Sequence, residues 1–102
     1  MAKNKIEWSE EAKSDLRKIL DFYIHRNGNS KYSIKLSRKI KKAVSLLKNQ
    51  KHIGYRSDFG NTRVIIEGDY CIFYEIYSKS IAVVAIWDSR QDPELLNEVF
   101  SE

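Results

Sequence analysis

Few side chains in this 102-residue chain have the chemistry to do more than pack, and most of those are cationic. Cys71 is the single cysteine. One thiol forms neither an internal disulfide nor a multi-cysteine metal site. It reads most simply as a small buried hydrophobe in a reducing cytoplasm. Of the two histidines, His25 falls at a helix end, where a cationic ring suits the dipole. His52 lies in a polar loop and is the one imidazole near it able to take or give a proton. Three arginines stand outside the helical segments: Arg56 in that same loop, Arg63 at the start of a strand, and Arg90 just past another. A guanidinium is a planar fork that grips phosphate or carboxylate through two hydrogen bonds. For Arg90, a salt bridge to Asp88 or Asp92 is the plain alternative. For Arg56 and Arg63 it is a solvated surface position.

The charge is unevenly spread. Residues 1–21 hold five basic and five acidic side chains, residues 22–57 ten basic and none acidic, and residues 58–102 three basic and nine acidic. A stretch at +10 within a chain of net charge +4 attracts polyanions or an acidic partner over a Debye length. Lys39 and Lys42 lie in it, with Lys35, Arg38 and Lys41. Together with Arg56 and His52 they are the candidate contacts to nucleic acid or to another target. The alternative is a solvated helix face.

The elements that must position these groups follow from periodicity. Lys5-Ile6-Glu7-Trp8 alternates and reads as a first strand. Ser9 is an N-cap, with Glu10 and Glu11 in the first turn. Ala12, Leu16, Ile19, Leu20 and Tyr23 recur at helical spacing over roughly four turns. The cluster Asn27-Gly28-Asn29-Ser30 stops that helix. A second helix starts near Ser30, with Leu36, Ile40, Ala43, Val44 and Leu47 as its apolar stripe. Residues 49–61 read as a loop. Three strands follow, at Arg63–Glu67, Tyr70–Tyr77 and Ile81–Trp87, linked by short turns as an antiparallel meander. In the middle strand Tyr70, Ile72, Tyr74 and Ile76 share one face, and Cys71, Phe73, Glu75 and Tyr77 the other. One face must be core. An aromatic on such a sheet can also stack on a base. Pro93 opens a short terminal helix through about Val99.

The expected fold is therefore α+β: strand, helix, helix, three strands and a short helix, with a helical hairpin packed on one face of a twisted, mostly antiparallel sheet. The length fits one domain over residues 1–102. The last strand has few polar residues and is expected to be central, with the first strand returning near it. The opening residues carry no apolar core of a signal peptide, and no apolar run approaches the ~18 residues of a membrane span. A cytoplasmic protein with no membrane role is expected.

Three segments, KIEWSEEAKSDLRKILDFY, NTRVIIEGDYCIFYEIYSKSIAVVAIWD and DSRQDPELL, resemble the RelE/ParE superfamily of toxins from type II toxin–antitoxin systems. The likeness spans nearly the whole chain. Tyr70-Cys-Ile-Phe-Tyr74 is similar to the family's middle strand, and Trp87-Asp-Ser-Arg90-Gln-Asp-Pro93 to the motif that closes its last strand. The resemblance implies a chain silenced by a cognate antitoxin, whose extended segment or helix wraps the toxin. It implies one of two activities. RelE-like members cleave mRNA on the ribosome without metal or other cofactor, through in-line attack by a ribose 2′-hydroxyl. ParE-like members inhibit DNA gyrase without catalysis. On the RelE-like reading Arg63 and Arg90 are the catalytic candidates at the phosphate, with His52 or Asp88 for proton transfer. The basic second helix would then meet ribosomal RNA.

This chain departs from the RNA-cleaving pattern at two places. Cys71 stands where those members often carry an arginine. The tail from Glu94 to Glu102 has neither the histidine nor the tyrosine that serves them as acid or base, and Phe100 transfers no proton. The meander half is also net acidic. These departures favour a ParE-like binder or a weakened toxin.

Overall fold

The computed structural model describes residues 4–100. The elements are β1 (Lys5–Trp8), α1 (Glu10–Asn27), α2 (Lys31–Ser45), a 3-10 turn (Leu46–Lys48), β2 (Tyr55–Arg56), β3 (Arg63–Glu67), β4 (Tyr70–Ile76), β5 (Ser80–Asp88) and α3 (Pro93–Phe100). The order matches the sequence expectation except in the segment read as a loop, which contains both the 3-10 turn and β2.

Helix α1 begins where its cap chemistry says it should. The Ser9 hydroxyl oxygen accepts from the Ala12 amide at 3.0 Å, satisfying one of the orphan N–H groups of the first turn. The helix ends at Gly28, whose φ of 72° closes a left-handed cap and whose N–H donates to the Ile24 carbonyl. Helix α2 starts beside Ser30, as expected, but without a serine cap. The Asn29 carboxamide oxygen accepts from the Lys31 amide instead. Buried Ser33 donates to the Leu20 carbonyl at 2.6 Å and pins the two helices together.

The sheet order is β1-β5-β4-β3-β2. Strand β1 pairs parallel with β5, in register from Lys5 with Ser80 to Trp8 with Val83. The other pairings are antiparallel. Strand β5 is thus internal, and β4 is the middle strand. A bulge lies in the β4–β5 pairing, between Phe73/Ala85 and Tyr74/Val83. Beyond Val83, β1 has ended, and side chains at the start of α1 take its place. Ser9 donates to the Val84 carbonyl and Asp15 accepts from the Ile86 amide. Asp15 has its pKa raised, chiefly by burial.

The helical hairpin covers the face bearing Tyr70, Ile72, Tyr74, Ile81, Val83 and Ile86, all buried. From the helices come Ala12, Leu16, Leu36, Ile40 and Val44, with Leu47 from the 3-10 turn. Truncating a fully buried member such as Ile40 or Ile72 to alanine should cost about 2–5 kcal/mol. On the opposite face Phe73 packs with Phe59 and Phe100, whose rings stack at 4.4 Å.

Candidate functional site

Two clusters form at opposite ends of the sheet, each around one arginine. At the β3 start, Arg63 Nη2 donates to the carbonyls of His52 at 3.1 Å and Gly54 at 2.7 Å. Buried Tyr74, cross-strand from Arg63, donates its hydroxyl to the Lys51 carbonyl at 2.8 Å and accepts from the Gly54 amide at 3.1 Å. Four hydrogen bonds thus latch residues 51–54 onto the sheet. Gly54 is needed there because a Cβ would lie 2.6 Å from the Val64 carbonyl oxygen and 2.7 Å from the Tyr74 hydroxyl.

The latched segment forms one wall of a groove of about 700 Å³, with α2 as the other. Lys39, Lys42, Ala43 and Leu46 line it from the helical side. Ile53, Tyr55 and the β3 residues Val64–Glu67 line it from the sheet. Its apolar groups are open to solvent: Leu46 is 49% exposed, Ile53 53%, Tyr55 71% and Ile66 61%. Strand β2 pairs only with Arg63 and Val64, so among the described residues no strand covers the outer edge of β3 from Ile65 to Glu67. An apolar floor beside a bare strand edge, rimmed by lysines, suits an extended or helical segment carrying acids.

At the other end, Arg90 is held by Asp88 through Nε–Oδ1 at 2.9 Å and Nη2–Oδ2 at 2.8 Å. Asp69 lies 3.7 Å from Nη1. Arg90 Nη2 also donates to the Tyr23 hydroxyl at 3.2 Å, and Tyr70 donates to that same oxygen at 3.2 Å. The donated bonds from Tyr70 and then Arg90 hold the Tyr23 pKa below the ordinary phenol value. Burial and the bond to Tyr23 push Tyr70 up. The Arg90 guanidinium holds the Asp88 carboxyl down.

Residues 6–93 match the family described as the ParE toxin of the type II toxin–antitoxin system, parDE. The chain belongs to the ParE toxin family. It is the toxin component of a type II system. Solved structures share the fold. The chromosomal ParDE system of P. aeruginosa aligns at TM-score 0.73 and 22% identity, covering 81% of this chain and 92% of that one. The RelBE2 complex of Mycobacterium tuberculosis aligns at TM-score 0.60 and 16% identity, covering 86% and 93%. The E. coli DinJ-YafQ complex aligns at 0.53 and 15%, covering 84% and 92%. No curated protein matches the chain by sequence.

The toxin does not bring its expected catalytic arginines together. Arg63 pairs with Tyr74, whereas Arg90 sits by Asp88, which pairs with Tyr70 at the far end of β4. Four residues of strand separate those ends, about 13 Å. The Arg63 fork is turned on backbone carbonyls, and the Arg90 fork on Asp88, one of the two salt-bridge alternatives raised by the sequence. Asp92 instead accepts from the Glu94 amide at the start of α3. His52 is exposed and enters the Arg63 cluster through its carbonyl. Arg56 is exposed on β2, opposite Arg63. Lys39 and Lys42 do share a site, the groove. The sequence reading missed Tyr23 as a polar group. In the sequence, Tyr23 shows only as one apolar position in a helical stripe.

Proposed function

We propose that this toxin arrests growth by occupying a protein target, in the way of a gyrase inhibitor, and that it does not cut RNA. One observation carries the reading: the two guanidinium groups suited to a scissile phosphate are each engaged by protein acceptors, in separate clusters at opposite ends of β4. In-line cleavage needs a cation, a base and an acid converging on one phosphate. Membership in the ParE family supports the same side. We place the toxin in the cytoplasm as a single domain, with no membrane partner. No described helix is long and apolar enough to cross a bilayer.

The proposed partner is a cognate antitoxin seated in the groove between α2 and the β3 edge. Lys39 and Lys42 would meet its acids, while Leu46, Ile53 and Ile66 take its apolar side chains. The test is induced expression in bacteria, with mRNA 5′ ends mapped and plasmid supercoiling assayed in the same cells. Intact mRNA with lost supercoiling is the expected result. New cuts in register with codons would overturn the reading.

A further inference from the structure

The Arg90 end of the sheet holds a second site, separate from the antitoxin groove. A cleft of about 400 Å³ opens between α1 and the turn after β5. Its lining brings Lys18, Arg26 and Arg90 against the one carboxylate of Asp88, three cations to one anion. Asp69 lies just outside, on Arg90. The volume falls within the range of small-ligand pockets.

The Tyr23 hydroxyl supplies the informative detail. A hydroxyl has one donor and two acceptor lone pairs. Both acceptor sites are filled, one by Arg90 and one by Tyr70, each at 3.2 Å. No protein acceptor takes the Tyr23 proton among the described residues, and Tyr23 lines the cleft. A phenol made more acidic by its two donors is a strong hydrogen-bond donor to an anion.

An aromatic surface lies beside it. Lys18, Phe22 and Arg26 follow at four-residue spacing, so they stand on one face of α1 with a cation on each side of the ring. Phe22 is 56% exposed. Its position is set by edge contact with Tyr23, at 5.1 Å and 83°. Tyr23 also makes an edge contact with Tyr32, at 4.7 Å. An exposed ring in edge contact with Tyr23, flanked by cations and next to an unused donor, has the composition of a platform for a base and its phosphate.

We propose that this cleft binds a nucleotide phosphate, with the phosphate on the Tyr23 hydroxyl, Arg26 and Lys18 and the base stacked on Phe22. The same chemistry is offered by a free nucleotide and by a single-stranded nucleic acid. The inference is independent of the gyrase reading, since it concerns other residues and another ligand.

The experiment titrates the full chain with inorganic phosphate, a 5′-mononucleotide and a short single-stranded DNA of mixed sequence. Tyr23→Phe should weaken all three about tenfold, the loss of one bond to a charged acceptor. Phe22→Ala should weaken the two base-bearing ligands about tenfold and leave inorganic phosphate unchanged. Arg26→Gln should flatten the salt dependence of DNA binding by about one phosphate contact. DNA bound more tightly than the mononucleotide would assign the site to nucleic acid. Equal affinities would assign it to a free nucleotide. The proposal is overturned if none of the three ligands binds. It is also overturned if Phe22→Ala and Tyr23→Phe both leave DNA affinity intact, which would move that affinity to the lysines of α2. Because Phe22 is exposed, its variant keeps the test valid even if Tyr23→Phe perturbs packing.

Discussion

The two arginine clusters use the same side chain in opposite ways. At the Gly54 end, the guanidinium, a phenol and a glycine fasten a loop, and the phenol is fully buried. At the Tyr23 end, the guanidinium is about half exposed and neutralised by carboxylates, and it polarises a hydroxyl that still faces solvent space. The first cluster converts hydrogen bonds into shape, the wall of the groove. The second keeps bonding capacity in reserve. The lesson is that the chemistry of an arginine here is set by what surrounds its fork, and that a strand-end position alone does not assign it.

Substitutions should separate fastening from reserve. Gly54→Ala has the largest expected effect. Its Cβ meets backbone and a buried phenol, so the loop must shift, at a cost of about 3 kcal/mol. The readout is a lower urea midpoint, with antitoxin binding lost together with stability. Tyr74→Phe follows, leaving the Lys51 carbonyl and the Gly54 amide without partners, for a loss of about 2 kcal/mol. Arg63→Met should cost somewhat less, about 1.5 kcal/mol, because water reaches part of the site. Arg90→Met should leave the melting temperature nearly unchanged. Equal losses at Arg63 and Arg90 would collapse the distinction between the two ends.

The smallest effect is read against pH. Asp88 has a folded pKa below its ordinary value of 3.8. Its contribution is therefore full above that value and is lost as pH falls through the folded pKa. Asp15 has a folded pKa above 3.8. Its burial is a cost at neutral pH that is relieved as pH falls through the folded value. Between about pH 5 and 2, Asp88→Asn should flatten acid destabilisation and Asp15→Asn should steepen it. Chemical denaturation across that range checks both signs. The same slope change in both variants would contradict the assignment.

Much of the fold was legible because it is local. The Ser9 cap, the helical stripes and the alternation of Tyr70–Ile76 each lie within one segment, and each appears as read. Strand β2 was not legible, since two residues in a polar, glycine-containing stretch carry no period. The first strand returns beside the last, as expected, but the parallel direction of that pairing joins residues some 75 positions apart and is not encoded in either strand. The candidate site was legible in part. The lysines of α2 follow from helix geometry, and so does their shared face. The fate of Arg63 depends on a loop that folds back over it. The role of Tyr23 depends on Tyr70 and Arg90, which are 47 and 67 residues away. A tyrosine at helical spacing looks apolar until its hydroxyl acquires neighbours.

The bare outer edge of β3 also bears on how this chain behaves when it is made alone. Ile65–Glu67 offers unpaired backbone groups beside the exposed side chain of Ile66, and each such edge is a template for a second, identical edge. Pairing through that edge would make solubility fall as concentration rises. A partner seated there, as proposed for the antitoxin, would act as a solubiliser as well as an inhibitor. Chain made in excess of that partner is then expected to self-associate, which light scattering of the free chain across a concentration series checks.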